Sequence, residues 1–392
     1  DWRTCGGGIM SNWPLGIVSS AQATGDFFQL WSWGGGVAGF FGNGIGYRDG
    51  YQQSSPVQSN FDQPISWERN NGQEKVVTGQ YNTYAIVSGA LWVWGDNENG
   101  ALGIGTVTPK SSPVQVGSDT DWEYVSGDNL FAMAIKGGAL YAWGWNNVGQ
   151  LGLGDVNNRS APTQIGSATN WTKCFTGGTN GGAINSDGEL YVWGNNEGGL
   201  LGQSDVVVRS VPVQIAGTTW NSITFGVHTA LLTKTDGKLF ALGDNGQGLH
   251  GKGTVANNVS SPIQVGSETN WVDVRMSHSG NAIALKGNGT IWCWGNGTDG
   301  SNGQGTVIHY SAPVQVGSET DWTSIGVSKN LKAAFAVRAG IAYAWGSQNT
   351  WGGLGIGVVT KASVPVVIAG GFDDWVYVES AQNNSIGLRT GS

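Results

Sequence analysis

The stretch Leu140-Tyr-Ala-Trp-Gly-Trp-Asn-Asn-Val-Gly-Gln-Leu-Gly-Leu-Gly154 decides how this chain is read. Tyr141 and Trp143 alternate with Leu140 and Ala142, which is the period-two pattern of a half-buried strand, and Gly144 ends it. The same step from aromatic strand to glycine recurs at Gly34, Gly95, Gly194, Gly243, Gly295 and Gly346. A Trp precedes every one of these glycines except Gly243, which follows Leu242. Successive glycines are 61, 49, 50, 49, 52 and 51 residues apart. A spacing this regular marks one supersecondary unit repeated in space.

Each unit has two halves. The first opens on Trp-x-x-(Val/Ile/Cys) and continues into a small apolar strand, as in Trp122 to Val125 followed by Phe131-Ala-Met-Ala-Ile135. The second is the aromatic strand. Between them lie tight turns such as Ser186-Asp187-Gly188, Thr235-Asp236-Gly237 and Gly287-Asn288-Gly289, whose glycines supply the positive φ of a hairpin. After the aromatic strand and its turn comes a Pro-led segment: Pro113-Val-Gln-Val116, Pro162-Thr-Gln-Ile165, Pro212-Val-Gln-Ile215, Pro262-Ile-Gln-Val265 and Pro313-Val-Gln-Val316. Proline donates nothing to a ladder, so it suits the first residue of an edge strand. About four short strands per unit of about 50 residues, with no helical periodicity, predict an all-β, seven-bladed β-propeller made as one domain over 1–392.

Composition narrows the function classes. Charged residues are 12% of the chain, while Gly numbers 67 and Trp 20. Low charge with many aromatics excludes a disordered chain, and glycine without a three-residue period excludes collagen. The balance of 19 Lys and Arg against 27 Asp and Glu gives a net charge of −8 and argues against a nucleic-acid surface. No apolar run reaches the ~20 residues of a membrane-spanning helix, so no membrane insertion is expected. The numbering starts at Asp1 without a signal-peptide pattern, so any leader is expected to have been removed or left out. Cys5, Cys174 and Cys293 take positions held in other units by Val, Ile or Ala, which reads as small buried fillers and not as a disulfide framework.

The string 140–154, with the trailing Ser-Ala-Pro-Thr-Gln-Ile at 160–165, resembles the repeat of the regulator-of-chromosome-condensation family, and the resemblance covers nearly the whole chain. It implies a seven-bladed propeller. It implies no single activity, because the family includes a nucleotide-exchange factor, ubiquitin-ligase modules, a secreted β-lactamase inhibitor and uncharacterised bacterial and phage proteins. Two features depart from the repeat. The first unit is stretched by Gly35-Gly-Val-Ala-Gly-Phe-Phe-Gly-Asn-Gly-Ile-Gly-Tyr47. First-half openings also fall near 2, 74, 122, 171, 220, 271, 322 and 375, eight against seven aromatic strands. The surplus half-unit either starts a partial eighth blade or shares a closing blade with the other terminus. Closure by pairing of the two termini is the expectation.

The columns of the repeat absorb most residues that would suggest chemistry. Sixteen of the 20 Trp are columnar, leaving Trp13, Trp67, Trp145 and Trp351. His228, His250, His278 and His309 lack metal-ligand spacing, and no nucleophile, base and acid come together, so neither cofactor nor metal is expected and no catalytic residue is named. Asp96-Asn-Glu-Asn-Gly100 looks like a calcium loop only until its equivalents, Trp145-Asn-Asn-Val-Gly149 and Asn195-Asn-Glu-Gly-Gly199, show it to be a turn column. Function is expected on loops that vary between blades. One such ring follows the first strand of each unit: Gln80-Tyr81, Asp128-Asn129, Thr179-Asn180, Val227-His228, His278-Ser279, Lys329-Asn330 and Gln382-Asn383. The other candidate is the expanded loop with Phe40, Phe41, Tyr47 and Tyr51, which either contacts a partner or plugs the ring. Candidate binding residues are therefore Phe40, Phe41, Tyr47, Tyr51, Tyr81, Asp128, Asn129, Asn180, His228, His278, Lys329, Trp145 and Trp351.

These observations favour a non-enzymatic recognition or structural propeller. It would be a phage virion or bacterial surface protein that binds a protein or a cell-surface glycan, with assembly into a larger particle among its expected properties. A virion or extracellular location is expected, with the cytoplasm left open. The alternatives are a soluble inhibitor or exchange-factor-like protein binder using the variable loop ring, and a propeller enzyme of lyase or glycosidase type, which would need carboxylates converging at the channel mouth.

Overall fold

The computed structural model describes residues 28–35, 52–58, 76–79, 81–128, 130–255, 258–329, 332–347, 352–380 and 384–390. Their strands, β1 to β28 in chain order, form seven four-stranded sheets. One such sheet is β7 (Trp122–Asp128), β8 (Phe131–Lys136), β9 (Ala139–Gly144) and β10 (Arg159–Gln164), a simple antiparallel meander from the inside of the ring outwards. The seven sheets stand as blades in a ring, the seven-bladed β-propeller that the repeat predicted.

The closing blade joins sequence-distant strands. β1 (Gln29–Gly35) and β2 (Gln52–Gln58) supply its outer half, while β27 (Trp375–Ser380) and β28 (Asn384–Arg389) supply its inner half. β1 pairs antiparallel with β28 from Gln29↔Arg389 to Gly34↔Asn384. The half-unit opening at Trp375 therefore completes this blade, and the described sheets need no eighth. Trp2 lies outside the described residues.

The glycine that ends each aromatic strand is required by a close approach. Gly95, Gly144, Gly194, Gly243, Gly295 and Gly346 all have φ between +89° and +107°. A Cβ on Gly144 would lie 2.3 Å from the carbonyl oxygen of Leu130, in the turn between the two preceding strands. That carbonyl instead accepts the N–H of Trp145 at 2.9 Å. The residue before the glycine points the other way. The Trp143 indole is fully buried between blades and donates Nε1–H to the Ala101 carbonyl of the preceding blade at 2.9 Å. Trp193, Trp294, Trp345 and Trp33 donate to Gln150, Leu249, Ser301 and Gly353 at 2.8, 2.8, 3.0 and 3.0 Å.

The opening Trp of each unit has a different role. Trp122 meets Tyr141 edge to face at 5.5 Å, and Lys136 lies 5.0 Å above the Trp122 ring while pairing with Asp119 at 2.5 Å. Lys286 repeats the stack with Trp271, Trp292 and Glu268, and Arg389 with Trp375 and Asp374. Cys174 and Cys293 are buried fillers, and burial pushes both thiols up.

One expectation needs correcting. The Pro-led strands begin earlier than the proline: β10 starts at Arg159, three residues before Pro162, and its register shifts between Arg159 and Thr163. The proline sits in a bulge on the outer edge, where its missing N–H breaks no ladder bond.

The two glycine environments make a controlled comparison. Gly105 has φ +79° with open space around its missing Cβ, so Gly105→Ala should cost only about 1 kcal/mol of backbone strain. Gly144→Ala adds the clash with the Leu130 carbonyl and should cost about 3 kcal/mol or more. Denaturant midpoints of the two variants against the parent chain check this, and equal losses would count against the close-approach argument.

Candidate functional site

The innermost strands enclose a channel of 620 Å³. They are β3 (Val76–Thr78), β7, β11 (Trp171–Gly177), β15 (Trp220–Phe225), β19 (Trp271–Met276), β23 (Trp322–Val327) and β27. They run in one direction, with Ser328 and Ser380 forming a parallel bridge where two of them end. All seven inner strands therefore end at one mouth of the channel, here called the C-mouth, and begin at the other, the N-mouth.

Three of the singled-out residues meet at the C-mouth. His278 Nε2 lies 3.3 Å from Asp128 Oδ2, although their blades are three apart in the ring, so the pair crosses the channel. The Gly178 N–H donates to the same carboxylate oxygen at 3.2 Å. Lys329 reaches across in the same way: its ammonium donates to the Thr78 carbonyl at 2.5 Å and also to the Gly127 carbonyl. Backbone bonds tie the group together, from His278 N–H to the Lys329 carbonyl at 2.7 Å and from Lys329 N–H to the Ser380 carbonyl at 3.1 Å. Asp128 is only 3% exposed. The arrangement is a clasp across the channel end, formed by charge-assisted bonds in a partly desolvated setting.

The other candidates separate into three groups. Tyr81, Trp145 and His228 are half-buried on the C-mouth face, with Trp145 following Gly144 beside the turn at Leu130. His228 Nδ1 stands 3.7 Å from Glu197 Oε2, an ion-pair distance beyond hydrogen bonding. Asn180 is fully buried, and its amide donates to the Trp193 and Asn195 carbonyls at 3.2 and 2.6 Å. It holds its own blade together and is not part of a recognition surface, because it is the first residue of β12 (Asn180–Asn185) and no longer in the turn. Phe40, Phe41, Tyr47, Tyr51, Asn129 and Trp351 lie outside the described residues, as do Trp13 and Trp67.

The turn that looked like a calcium loop has a structural basis. The buried Asn97 amide donates to the Thr106 and Thr108 carbonyls at 2.8 and 3.0 Å, and its oxygen accepts the Leu102 N–H. Asn146 does the same with Asp155, Asn157 and Leu151. Among the described residues no group of three or more His, Cys, Asp or Glu could hold a metal ion. His250 is buried with Nε2 3.2 Å from the Gly243 carbonyl, and burial lowers its pKa.

Sequence reasoning missed the polar wall of the channel. Glu379 is buried and accepts the Thr78 N–H at 2.5 Å, the Thr78 hydroxyl at 2.9 Å and the Tyr377 hydroxyl at 2.7 Å. Arg275 pairs with Asp273 at 3.0 Å. The Lys173 ammonium donates to the Asn221 carbonyl at 3.0 Å and to its side-chain oxygen at 2.8 Å, both neutral acceptors. Desolvation there lowers the Lys173 pKa to about 8. The available signal was the residue two places after the opening Trp, which reads Tyr124, Lys173, Ser222, Asp273, Ser324 and Tyr377, and the residue four places after it, which reads Ser126, Phe175, Thr224, Arg275, Gly326 and Glu379.

Comparison with known proteins agrees with this geometry. The model of the Regulator of chromosome condensation (RCC1) repeat matches residues 88–135, 137–184 and 187–230. Human WBSCR16 superposes with a TM-score of 0.77 at 18% identity, covering 92% of this chain and 98% of that one. Prp20p of Saccharomyces cerevisiae gives 0.77 at 18% identity over 93% and 91%. The same yeast protein bound to Kap60 gives 0.75 at 17% identity over 93% and 89%. No curated protein matches the sequence significantly. At these identities the superpositions establish the fold. The chain is thus a β-propeller in which three stretches within residues 88–230 match the RCC1 repeat.

Lys173 carries a pH signature. Its folded pKa of about 8 lies below the ordinary 10.5, so between those values the unfolded chain binds more protons and stability rises with pH. Below pH 8 the penalty, on the order of 1–3 kcal/mol, is fully present. Urea unfolding from pH 7 to 10 should show that rise in the parent chain relative to Lys173→Ser. Parallel profiles would mean the ammonium is not desolvated.

Proposed function

We propose that this chain is a non-enzymatic recognition propeller that grips a protein partner on its C-mouth face. One observation carries the reading: the described turns at this mouth carry chemically different residues, among them Tyr81, Thr179, His228 and His278, while the strands beneath repeat from blade to blade. Tyr81, Trp145 and His228 with the exposed Glu197 give that face aromatic, basic and acidic points, held in place over the Asp128–His278–Lys329 clasp. Rigid presentation of varied side chains lowers the ordering cost of binding.

Two further points support it. The channel carboxylates Asp128, Asp273 and Glu379 each serve a fixed donor or cation, which suits architecture better than proton transfer. The structure of Prp20p was described with its binding to Gsp1p and histones, and in another structure Prp20 is bound to Kap60. Protein binding by one propeller of this repeat type makes protein the favoured partner class here. A virion or cell surface remains the setting we propose from the low charge and the Ser-, Thr-, Asn- and Gly-rich repeats.

Photo-crosslinking tests this. A benzophenone amino acid placed at positions 81, 145 and 228 should give adducts with one protein in extracts of the source or host cells. The same probe at the exposed outer-strand positions of Val211 and Val364 should give none. Tyr81→Ala combined with Trp145→Ala should weaken capture about tenfold, or about 1.4 kcal/mol, without altering thermal unfolding. Adducts from the outer strands alone, or undiminished capture, would sink the reading.

A further inference from the structure

The N-mouth offers a second site that stands independently of the C-mouth reading. The lining residues Val272 and Thr323 are exposed at this end, so the channel is open here. Lys173 lies just inside, as the third residue of β11. A desolvated ammonium without an acid partner is costly to a fold. Nothing in the fold requires it, since the same register position holds Tyr124, Ser222, Asp273, Ser324 and Tyr377 in other blades. An ordinary polar or aromatic residue would line the wall equally well.

The surroundings define what would balance that charge. Asn221 and Ser222 stand on the neighbouring inner strand, with the Asn221 side chain already touching the ammonium. On the other side the half-buried Phe175 and the buried Tyr124 pack edge to face, with centroids 6.5 Å apart, and both line the channel. Arg275 is matched by Asp273, so Lys173 contributes one unbalanced positive charge at this level. Glu379 lines the same channel and is already engaged by Thr78 and Tyr377. One cation at this level of the channel suits a monoanion and disfavours a dianion such as phosphate. The 620 Å³ of the channel is within the range of small-molecule sites, far larger than an inorganic ion needs.

We propose that the N-mouth binds an organic carboxylate, free or at the end of a peptide, with the Lys173 ammonium as its counter-ion and its apolar body against Phe175 and Tyr124. Asn221, already at the ammonium, holds the carboxylate in register. The bound anion restores to Lys173 the charge partner it lost on leaving water.

Benzoate is the probe, with benzamide as the neutral isostere and inorganic phosphate as the competing oxyanion. In the full chain labelled with 13C at lysine Cε, the Lys173 resonance is assigned by its absence from Lys173→Ser. Ser222 fills the same position one blade on, so this variant is expected to fold. Benzoate should shift the Lys173 resonance at pH 7 with a dissociation constant in the millimolar range. It should also raise the titration midpoint above the free value of about 8. Affinity should fall about tenfold per pH unit above that midpoint and at least about tenfold in Lys173→Ser, while Lys173→Arg keeps binding. Three outcomes would overturn the assignment: an unmoved Lys173 resonance, equal binding by Lys173→Ser, or benzamide or phosphate binding as tightly as benzoate.

Discussion

The ring depends on an indole that fills the gap between two blades and donates its N–H to the blade before it. A four-stranded sheet has two faces to cover, and in a propeller each face is covered only by a neighbour. Trp143, Trp193, Trp294, Trp345 and Trp33 supply both the bulk and a fixed point, since each Nε1–H finds a carbonyl in the preceding turn. The turn must leave room for the ring. A Cβ on Gly103, Gly152 or Gly303 would stand 2.8 to 2.9 Å from the indole nitrogen. The pair Trp-Gly and the later Gly-x-Leu-Gly are thus two halves of one contact, made between successive blades.

Leu242 shows what the contact can lose. In that blade the indole is replaced by an aliphatic side chain that packs with Leu200, Leu201 and Ile215 in the same apolar cluster. Packing alone holds this junction, with no indole bond. This exception is tolerable because Trp33, Trp143, Trp193, Trp294 and Trp345 keep the bond and the ring constrains the gap from both sides.

How far the sequence could be read follows from which contacts are local. The strands, hairpin turns, blade count and closure by the termini were legible because each blade repeats the same short-range chemistry. The strand starts at Arg159 and its equivalents were not, since the bulge around Pro162 is set by pairing with β9 and not by the proline alone. Asp128, His278 and Lys329 could be singled out as residues that break the pattern. Their meeting across the channel could not, because it joins blades three apart and leaves no periodic trace. Lys173 and Glu379 were passed over for the opposite reason: they sit inside strands whose neighbours are columnar, where a departure is easily taken for noise. Asn180 was misplaced by a single residue, from the wall of a blade to its turn.

The closing blade has a consequence for synthesis. β1 and β2 are made early, yet the inner edge of β1 pairs with β28, more than three hundred residues later in the chain. Until then β1 presents a bare row of backbone donors and acceptors, the kind of edge that recruits foreign strands. Pro56 in β2 lies on the outer strand and does nothing for that inner edge. The half-built ring is thus most vulnerable to misassociation at the seam that later makes it whole, and a ribosome-bound chain would need shielding there until β28 emerges.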